Sequence, residues 1–235
     1  MFSKDIFDFS EITPRTQNYL TKVYFALGMG LLSSVLTFII FQNMVYSTFF
    51  YYVFLVMSIA SLIADIVIIF SNKNTSFYNK LNIFSFFGYG ISLGGLLATG
   101  IANFSKSDKL FINKVCFQAL LLTALIFFVF SMFSILTSNR LAIYSGATIL
   151  TLVLSIISFF IWNFMLEIII GVIIGCLYII TDTQRIIYKS ENNRKNNVFQ
   201  DAKLLFVDFA EISFKILTYL LKKNEEEEKK KKKNN

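Results

Sequence analysis

Long apolar stretches limit what this chain can fold into more than any other feature of its sequence. A helix that crosses a bilayer needs about 20 mostly apolar residues. Six stretches meet this requirement, and a seventh is amphipathic because charged residues interrupt it. The six are approximately Tyr19–Phe41, Thr48–Phe70, Leu81–Asn103, Lys114–Leu136, Leu141–Ile161 and Phe164–Tyr188, and the seventh is Val198–Leu221.

These stretches predict an all-α polytopic membrane bundle of seven hydrophobic segments. The chain is 55% hydrophobic, whereas a soluble domain has about 45–50% apolar residues even with glycine counted. We expect a cytosolic lead-in over residues 1–18, a transmembrane bundle over 19–221 and a charged low-complexity tail over 222–235. The lead-in is polar, so no cleavable signal peptide is indicated. The seventh segment either spans the membrane or re-enters it.

All ten glycines fall within the predicted segments rather than in loops. Gly90 with Gly94, and Gly171 with Gly175, have the G-x-x-x-G spacing that lets helix backbones approach closely in lipid. We expect this spacing to serve packing within one bundle, so the chain is predicted to be a monomer, with a dimer as the alternative. The third segment holds five glycines and is predicted to be central or bent.

The short loops give the orientation, because cytoplasmic loops carry an excess of Lys and Arg. Loops 71–80, 137–140 and 185–197 are basic and share a side with the N-terminus, whereas Lys106 and Lys109 go against the trend. The majority predicts a cytosolic N-terminus. A spanning seventh segment then leaves the lysine-rich tail on the far side, and a re-entrant one returns it to the cytosol.

Two carboxylates inside apolar segments are the first candidates for function. Asp182 lies near the end of the sixth segment and Asp208 lies within the seventh. Placing a carboxylate in a membrane segment costs about 2.5 to 3.5 kcal/mol on insertion scales, which makes it a functional hypothesis. A short loop joins the two segments, so their helices should be antiparallel neighbours, with the carboxylates roughly 9 and 14 Å from the loop. Neighbouring carboxylates cannot both ionise cheaply, so we expect this pair to share a proton and act as a pH-sensitive latch.

The seventh segment carries further charge at helical spacing. Asp201, Glu211 and Lys215 are predicted to lie on the same face as Asp208. Glu211 and Lys215 have the order of a favourable ion pair four residues apart. Asp201 is expected near the loop and water. Lys203 is expected to point away from this face and to reach the interface with its long stem.

Asp65 in the second segment has two alternative roles. It either joins the aspartate pair in an acidic cluster suited to calcium, which takes oxygen ligands, or it pairs with a basic residue near the interface. The basic residues considered for that pairing are Lys73, Lys80 and Arg140.

Several function classes are disfavoured. The chain has no His, which removes imidazole bases and His-ligated zinc. It also lacks G-x-S-x-G and H-E-x-x-H, so we expect no enzyme. Cys116 and Cys176 lie in apolar segments and are expected to be small buried side chains rather than a disulfide. Seven of the 22 Lys and Arg residues lie in the tail over 222–235, beside four Glu, and no nucleic-acid partner is expected.

Three stretches resemble the Bax inhibitor family of transmembrane Bax-inhibitor-motif proteins, in its eukaryotic founder-type branch. The lead-in ITPRTQNYLTKVY (Ile12–Tyr24) resembles that branch. TDTQRII (Thr181–Ile187) resembles the D-T-Q segment of the family, and FVDF (Phe206–Phe209) resembles its second aspartate motif. The lysine-rich end is also similar.

The resemblance implies a multi-pass endoplasmic-reticulum membrane protein of six or seven spans. It implies suppression of cell death and a pH-dependent calcium leak or calcium/proton exchange, in which Asp182 and Asp208 form the latch. Calcium would bind only transiently there, and no cofactor is expected. Bacterial relatives place an arginine at the cytosolic end of the second span, but this chain reads IIFSNKN there, with Lys73 as the candidate substitute.

A second function stays open at this point. Instead of conducting ions, the chain would regulate other membrane proteins of the cell-death pathway by binding them through its tail. A lipid bilayer is a partner in either case.

Overall fold

The computed structural model describes residues 12–42, 48–71, 76–104, 109–137, 139–160, 163–192 and 197–234. All regular secondary structure in these ranges is helical, which confirms the predicted all-α class. The seven helices are α1 Pro14–Gln42, α2 Thr48–Ser71, α3 Ser76–Phe104, α4 Lys109–Leu136, α5 Arg140–Phe159, α6 Phe164–Glu191 and α7 Val198–Asn234.

Polar residues ahead of three helices define where those helices begin. The Thr13 hydroxyl accepts a hydrogen bond from a first-turn N–H of α1 at 3.3 Å, and Pro14 follows at the first helical position, where no N–H is needed. The Asn163 side chain accepts two such bonds at the start of α6, at 3.0 and 3.4 Å. Asn197 does the same for α7, at 3.2 and 3.4 Å. These side chains satisfy N–H groups that have no partner inside the helix.

Among the described residues, six helices are long and apolar enough to cross a membrane: α1, α2, α3, α4, α5 and α6. They agree with the six predicted spans to within a few residues at most ends. The charged residues of α7 keep it out of this group. That helix continues without a break from Val198 to Asn234, through most of the predicted tail.

The helices divide into two compact units, which share α1 and α7. In the first unit α4 and α5 pack on α6, and in the second α2 packs on α3. The first unit comprises Met1–Leu20, Lys109–Asn196 and Val207–Asn235, and the second comprises Thr21–Asp108 and Asn197–Phe206.

Glycines of α3 let its backbone touch that of α1 in the second unit. A Cβ at Gly90 would lie 3.0 Å from the Gly30 carbonyl oxygen, and a Cβ at Gly94 would overlap the carbonyl of Ser34. Half of the residues in the apolar stretch of α3 are buried inside the protein, a larger share than in the other five candidate spans. The G-x-x-x-G spacing in α3 therefore serves packing within the chain, as predicted, and α3 is the central span of its unit.

Aromatic rings fill the second unit beside the first turns of α7. Phe86 of α3 is 2% exposed and makes an edge contact with Phe206, at 6.2 Å between ring centroids. It also contacts Phe199 at 5.7 Å, and Tyr89 contacts Phe206 at the same separation. Such pairs add about 0.5 to 1.5 kcal/mol each beyond their buried area. They fix the first turns of α7 against α3.

Candidate functional site

Helices α6 and α7 pack as antiparallel neighbours in the first unit. A Cβ at Gly171 would lie 2.9 Å from Cε of Lys215, and a Cβ at Gly175 would lie 2.5 Å from Cγ1 of Ile212. Residue numbers rise along α6 as they fall along α7, so the helices run in opposite directions, as their short connection predicts. The G-x-x-x-G spacing of α6, formed by Gly171 and Gly175, thus lets side chains of α7 pack directly against the α6 backbone.

Helix α7 extends alongside α6 as far as the beginning of α6. The Lys222 ammonium lies 3.5 Å from the centroid of the Phe164 ring, at the first residue of α6. A re-entrant segment would have to turn back before this level, and α7 has no break. The unbroken α7 argues against the re-entrant alternative, and its crossing of the membrane stays a prediction, since α7 is not among the six candidate spans.

Asp208 is a buried carboxylate on α7. The residue is 5% exposed, and its Oδ2 atom has no hydrogen-bond partner in the part of the chain that the structure describes. Two negative groups, Asp182 and Glu211, act electrostatically on the Asp208 carboxyl. Asp182 is half-buried. The structure thus brings the two predicted aspartates together, and their role as a pH latch stays a prediction.

Gln184, in the same D-T-Q stretch as Asp182, connects α6 to two other helices of the first unit. Its Nε2 donates to the carbonyl of Ser134 near the end of α4, and the Arg140 guanidinium donates to its Oε1 at 3.5 Å. The Ser134 hydroxyl donates in return to the Ile180 carbonyl at 3.1 Å. Gln184 is 3% exposed and Ser134 is fully buried. These bonds hold the segment that carries Asp182.

The sequence analysis missed these positioning residues. The available signal was an amide side chain, Gln184, inside an apolar helix, because such a group must find a partner when buried. The partner itself lies on another helix, so spacing along the chain could not identify it.

The lead-in contacts the C-terminal end of α6. The Thr16 hydroxyl donates to the Ser190 hydroxyl at 3.1 Å, and these residues are 0% and 1% exposed. Both belong to the first unit. The lead-in, which carries part of the family resemblance, thus packs against the C-terminal end of α6, the helix to which Asp182 belongs. Neither hydroxyl was among the residues singled out from the sequence.

Asp65 pairs with Lys203, which neither predicted alternative named. The Lys203 ammonium donates to Asp65 Oδ2, and both residues belong to the second unit. The expectation that Lys203 points to the interface is therefore wrong. The two charges compensate each other, whereas either group without the other would be an uncompensated buried charge.

Two further expectations on α7 are corrected. The described residues show no ion pair between Glu211 and Lys215; the Lys215 stem lies against Gly171 instead. Asp201, expected near water, is 1% exposed, because the first turns of α7 are packed among helices rather than fraying into the loop.

The described residues contain no group of three or more His, Cys, Asp or Glu side chains placed to hold a metal ion. Calcium binding stays a prediction. The two cysteines are free and buried, as expected.

Comparisons with known proteins agree with this geometry. The family model described as "Inhibitor of apoptosis-promoting Bax1" matches residues 16–225. The chain is 26% identical to a Bax inhibitor 1 homolog of Dictyostelium discoideum over 228 residues, covering 92% of this chain and 85% of that protein. It is 29% identical to Bax inhibitor 1 of Homo sapiens over 226 residues and 30% identical to that of Sus scrofa over 226 residues. Each of these two matches covers 90% of this chain and 89% of the relative.

No solved structure matches the chain. The matched region includes α2 to α6 and most of α1 and α7, with Thr16 of the lead-in contact and both aspartate motifs. The chain is thus a multi-pass membrane protein that belongs to the Bax inhibitor family.

Proposed function

We propose that this chain is a pH-regulated calcium leak channel or calcium/proton exchanger of the endoplasmic-reticulum membrane, and that it suppresses cell death. The names of its relatives support the cell-death role. The single observation that carries the ion-transport proposal is the Asp208 carboxyl, buried at 5% exposure and acted on by the negative charge of Asp182.

The pair works as a latch because one proton changes its charge. While Asp182 and Asp208 share a proton, α6 and α7 stay together and the cytosolic side is closed. When the proton leaves, two anions repel each other in a low-dielectric region, and Glu211 adds to that repulsion. The helices separate, and a divalent cation passes by replacing the charge of the lost proton. Calcium flux therefore rises as the pH rises through the coupled titration of the pair.

The hydrogen bonds of Gln184 hold the α6 side of the latch in place. They attach the D-T-Q stretch to the end of α4 and the start of α5, so the part of α7 beyond its first turns, rather than α6, is what moves. This division of roles supports a gate that opens between two helices without disrupting the rest of the first unit.

Calcium flux into liposomes containing the purified protein tests the proposal. Asp182→Asn and Asp208→Asn each keep a polar group of the same shape and remove the charge. Each should abolish or shift the pH dependence of flux while the protein still folds. Glu167→Gln is the matched control, since Glu167 is exposed at the start of α6 and should keep the wild-type profile.

Unchanged flux and unchanged pH response in both aspartate variants would show that the pair is structural only. Wild-type protein that conducts no calcium at any pH would instead favour the non-conducting regulator that binds other membrane proteins through its tail.

The orientation is tested by glycosylation tags. A tag within residues 43–47 should be modified and one within 194–197 should not, because basic loops stay in the cytosol. Because α7 continues alongside α6 to the level of Phe164, we expect the tail on the side of the loop before Phe164, and a tag after Asn235 should be modified too. The reverse pattern would overturn the orientation.

A further inference from the structure

A second charged cluster lies in the second unit, and the proposed latch does not use it. Asp65 of α2 and Lys203 of α7 would each cost about 2.5 to 3.5 kcal/mol in a membrane on insertion scales. Their side chains are 26% and 13% exposed, so both are largely withdrawn from the surface. The pair is neutral as a whole, and its partners explain how both charges are retained.

The Lys203 ammonium has three neighbours that favour its charge. It donates to Asp65 Oδ2 and to Ser85 Oγ at 2.9 Å, and it lies 4.8 Å from the centroid of the Tyr89 ring. A ring face at this distance attracts a cation. The ammonium is therefore held by a carboxylate, a hydroxyl and an aromatic face.

The oxygen atoms around the ammonium also support one another. The Ser85 hydroxyl donates to Asp65 Oδ1 and lies 3.2 Å from the Ser61 carbonyl oxygen. Ser85 is 1% exposed and Ser61 is fully buried. Asp65 thus has a partner on each carboxylate oxygen, and the two donors that orient it come from α3 and α7.

We propose that Asp65, Ser85 and Tyr89 form a binding site for a monovalent inorganic cation, sodium or potassium, in which the Lys203 ammonium is the resident cation. Lysine is a compact point charge on a flexible stem, so it can occupy and leave such a site. An inorganic ion takes the site when the ammonium is absent, and it competes with the ammonium when both are present. The site and the ion differ from those of the proposed calcium pathway.

The charge balance selects a monovalent ion. One carboxylate compensates one positive charge, as it does for the ammonium, whereas a divalent ion would leave an uncompensated buried charge. Calcium also takes 6–8 oxygen ligands at about 2.3–2.6 Å, usually from several carboxylates, and the described residues contain no group of three or more His, Cys, Asp or Glu side chains placed to hold a metal ion. The 26% exposure of Asp65 gives a small ion access.

Thermal unfolding of purified Lys203→Ala in detergent tests the site. Sodium or potassium chloride is compared with choline chloride at equal ionic strength, because choline is too large for a site that fits an ammonium. We expect sodium or potassium to raise the melting temperature of Lys203→Ala in a saturable way, and choline to leave it unchanged. Wild type should need a much higher sodium or potassium concentration for the same rise, since its own ammonium competes for the site.

Two control variants make the result specific. Asp65→Asn combined with Lys203→Ala removes the anionic ligand, so its response to sodium and potassium should be lost. Lys22→Ala removes an exposed lysine of α1 and should behave as wild type. Calcium chloride at matched ionic strength should raise the melting temperature of Lys203→Ala less than sodium does.

Three outcomes would overturn the proposal: equal responses of Lys203→Ala and the double variant, no response of Lys203→Ala to either ion, or a larger response to calcium. If Lys203→Ala yields folded protein only in sodium or potassium, that dependence supports the site. If it folds in no salt while the double variant folds, the site accepts no free ion and the proposal is wrong.

Discussion

Replacing Gln184 with leucine tests whether hydrogen bonds across helices hold the D-T-Q stretch in place. Leucine is close to glutamine in size and forms helices well, so the change removes polar contacts with little loss of volume. It deletes the donor to the Ser134 carbonyl and the acceptor for Arg140. We expect the protein to fold with lower stability.

The expected loss follows from where the Ser134 carbonyl lies. Helix α4 ends at Leu136, so Ser134 is among the last residues of the helix, whose carbonyls have no partner within it. Ser134 is fully buried, and leaving a buried acceptor unsatisfied costs about 1 to 3 kcal/mol. The contact with Arg140 is long, at 3.5 Å, and adds little. We therefore expect Gln184→Leu to lower the free energy of unfolding by about 1 to 3 kcal/mol.

The hydroxyl of Ser134 provides an internal comparison. Ser134→Ala removes its bond to the Ile180 carbonyl but keeps the backbone carbonyl that Gln184 binds. Ile180 lies in the middle of α6, where the helix itself supplies a donor to its carbonyl. We expect a loss of only about 0.5 to 1 kcal/mol.

Unfolding in mixed micelles of increasing denaturing-detergent fraction measures these differences. Gln118→Leu is the matched control, because Gln118 lies on α4 and is exposed; it should not destabilise the protein. The reasoning is refuted if Gln184→Leu costs no more than Gln118→Leu, or if Ser134→Ala costs more than Gln184→Leu.

Two further predictions concern packing and burial. Gly94→Ala should destabilise the protein by about 1 to 3 kcal/mol because the added methyl group would overlap the Ser34 carbonyl. Gly146 has open space around it, so Gly146→Ala should instead stabilise α5 by up to about 1 kcal/mol. Equal effects of the two changes in the same unfolding assay would contradict this prediction. Asp201→Asn should lower the free energy of unfolding by about 1 to 3 kcal/mol because Asp201 is 1% exposed. The control Glu167→Gln changes an exposed residue and should alter the free energy of unfolding by no more than about 0.5 kcal/mol. An equally small effect of Asp201→Asn would show that the charge of Asp201 is not needed.

The spans and the antiparallel pairing of α6 with α7 could be predicted because they depend on local features. Apolar length determines a span, and the short connection between Asp182 and Asp208 makes their helices neighbours. The partner of Asp65 could not be predicted in this way. Lys203 reaches it only because α2, α3 and the start of α7 pack together, and a periodicity argument places a side chain on a face without naming the facing helix. The burial of Asp201 was missed for the same reason.

The length of α7 has a mechanical consequence. At about 1.5 Å per residue, its 37 residues form a rod of roughly 55 Å, whereas the hydrocarbon core is only about 30 Å thick. Beyond Lys222 the sequence places four glutamates ahead of five lysines, an order that favours helix through pairs four residues apart. The charged end is therefore a stiff lever, and a tilt of about 10° would move its tip by roughly 10 Å. A small rearrangement beside Asp208 is thereby enlarged outside the membrane.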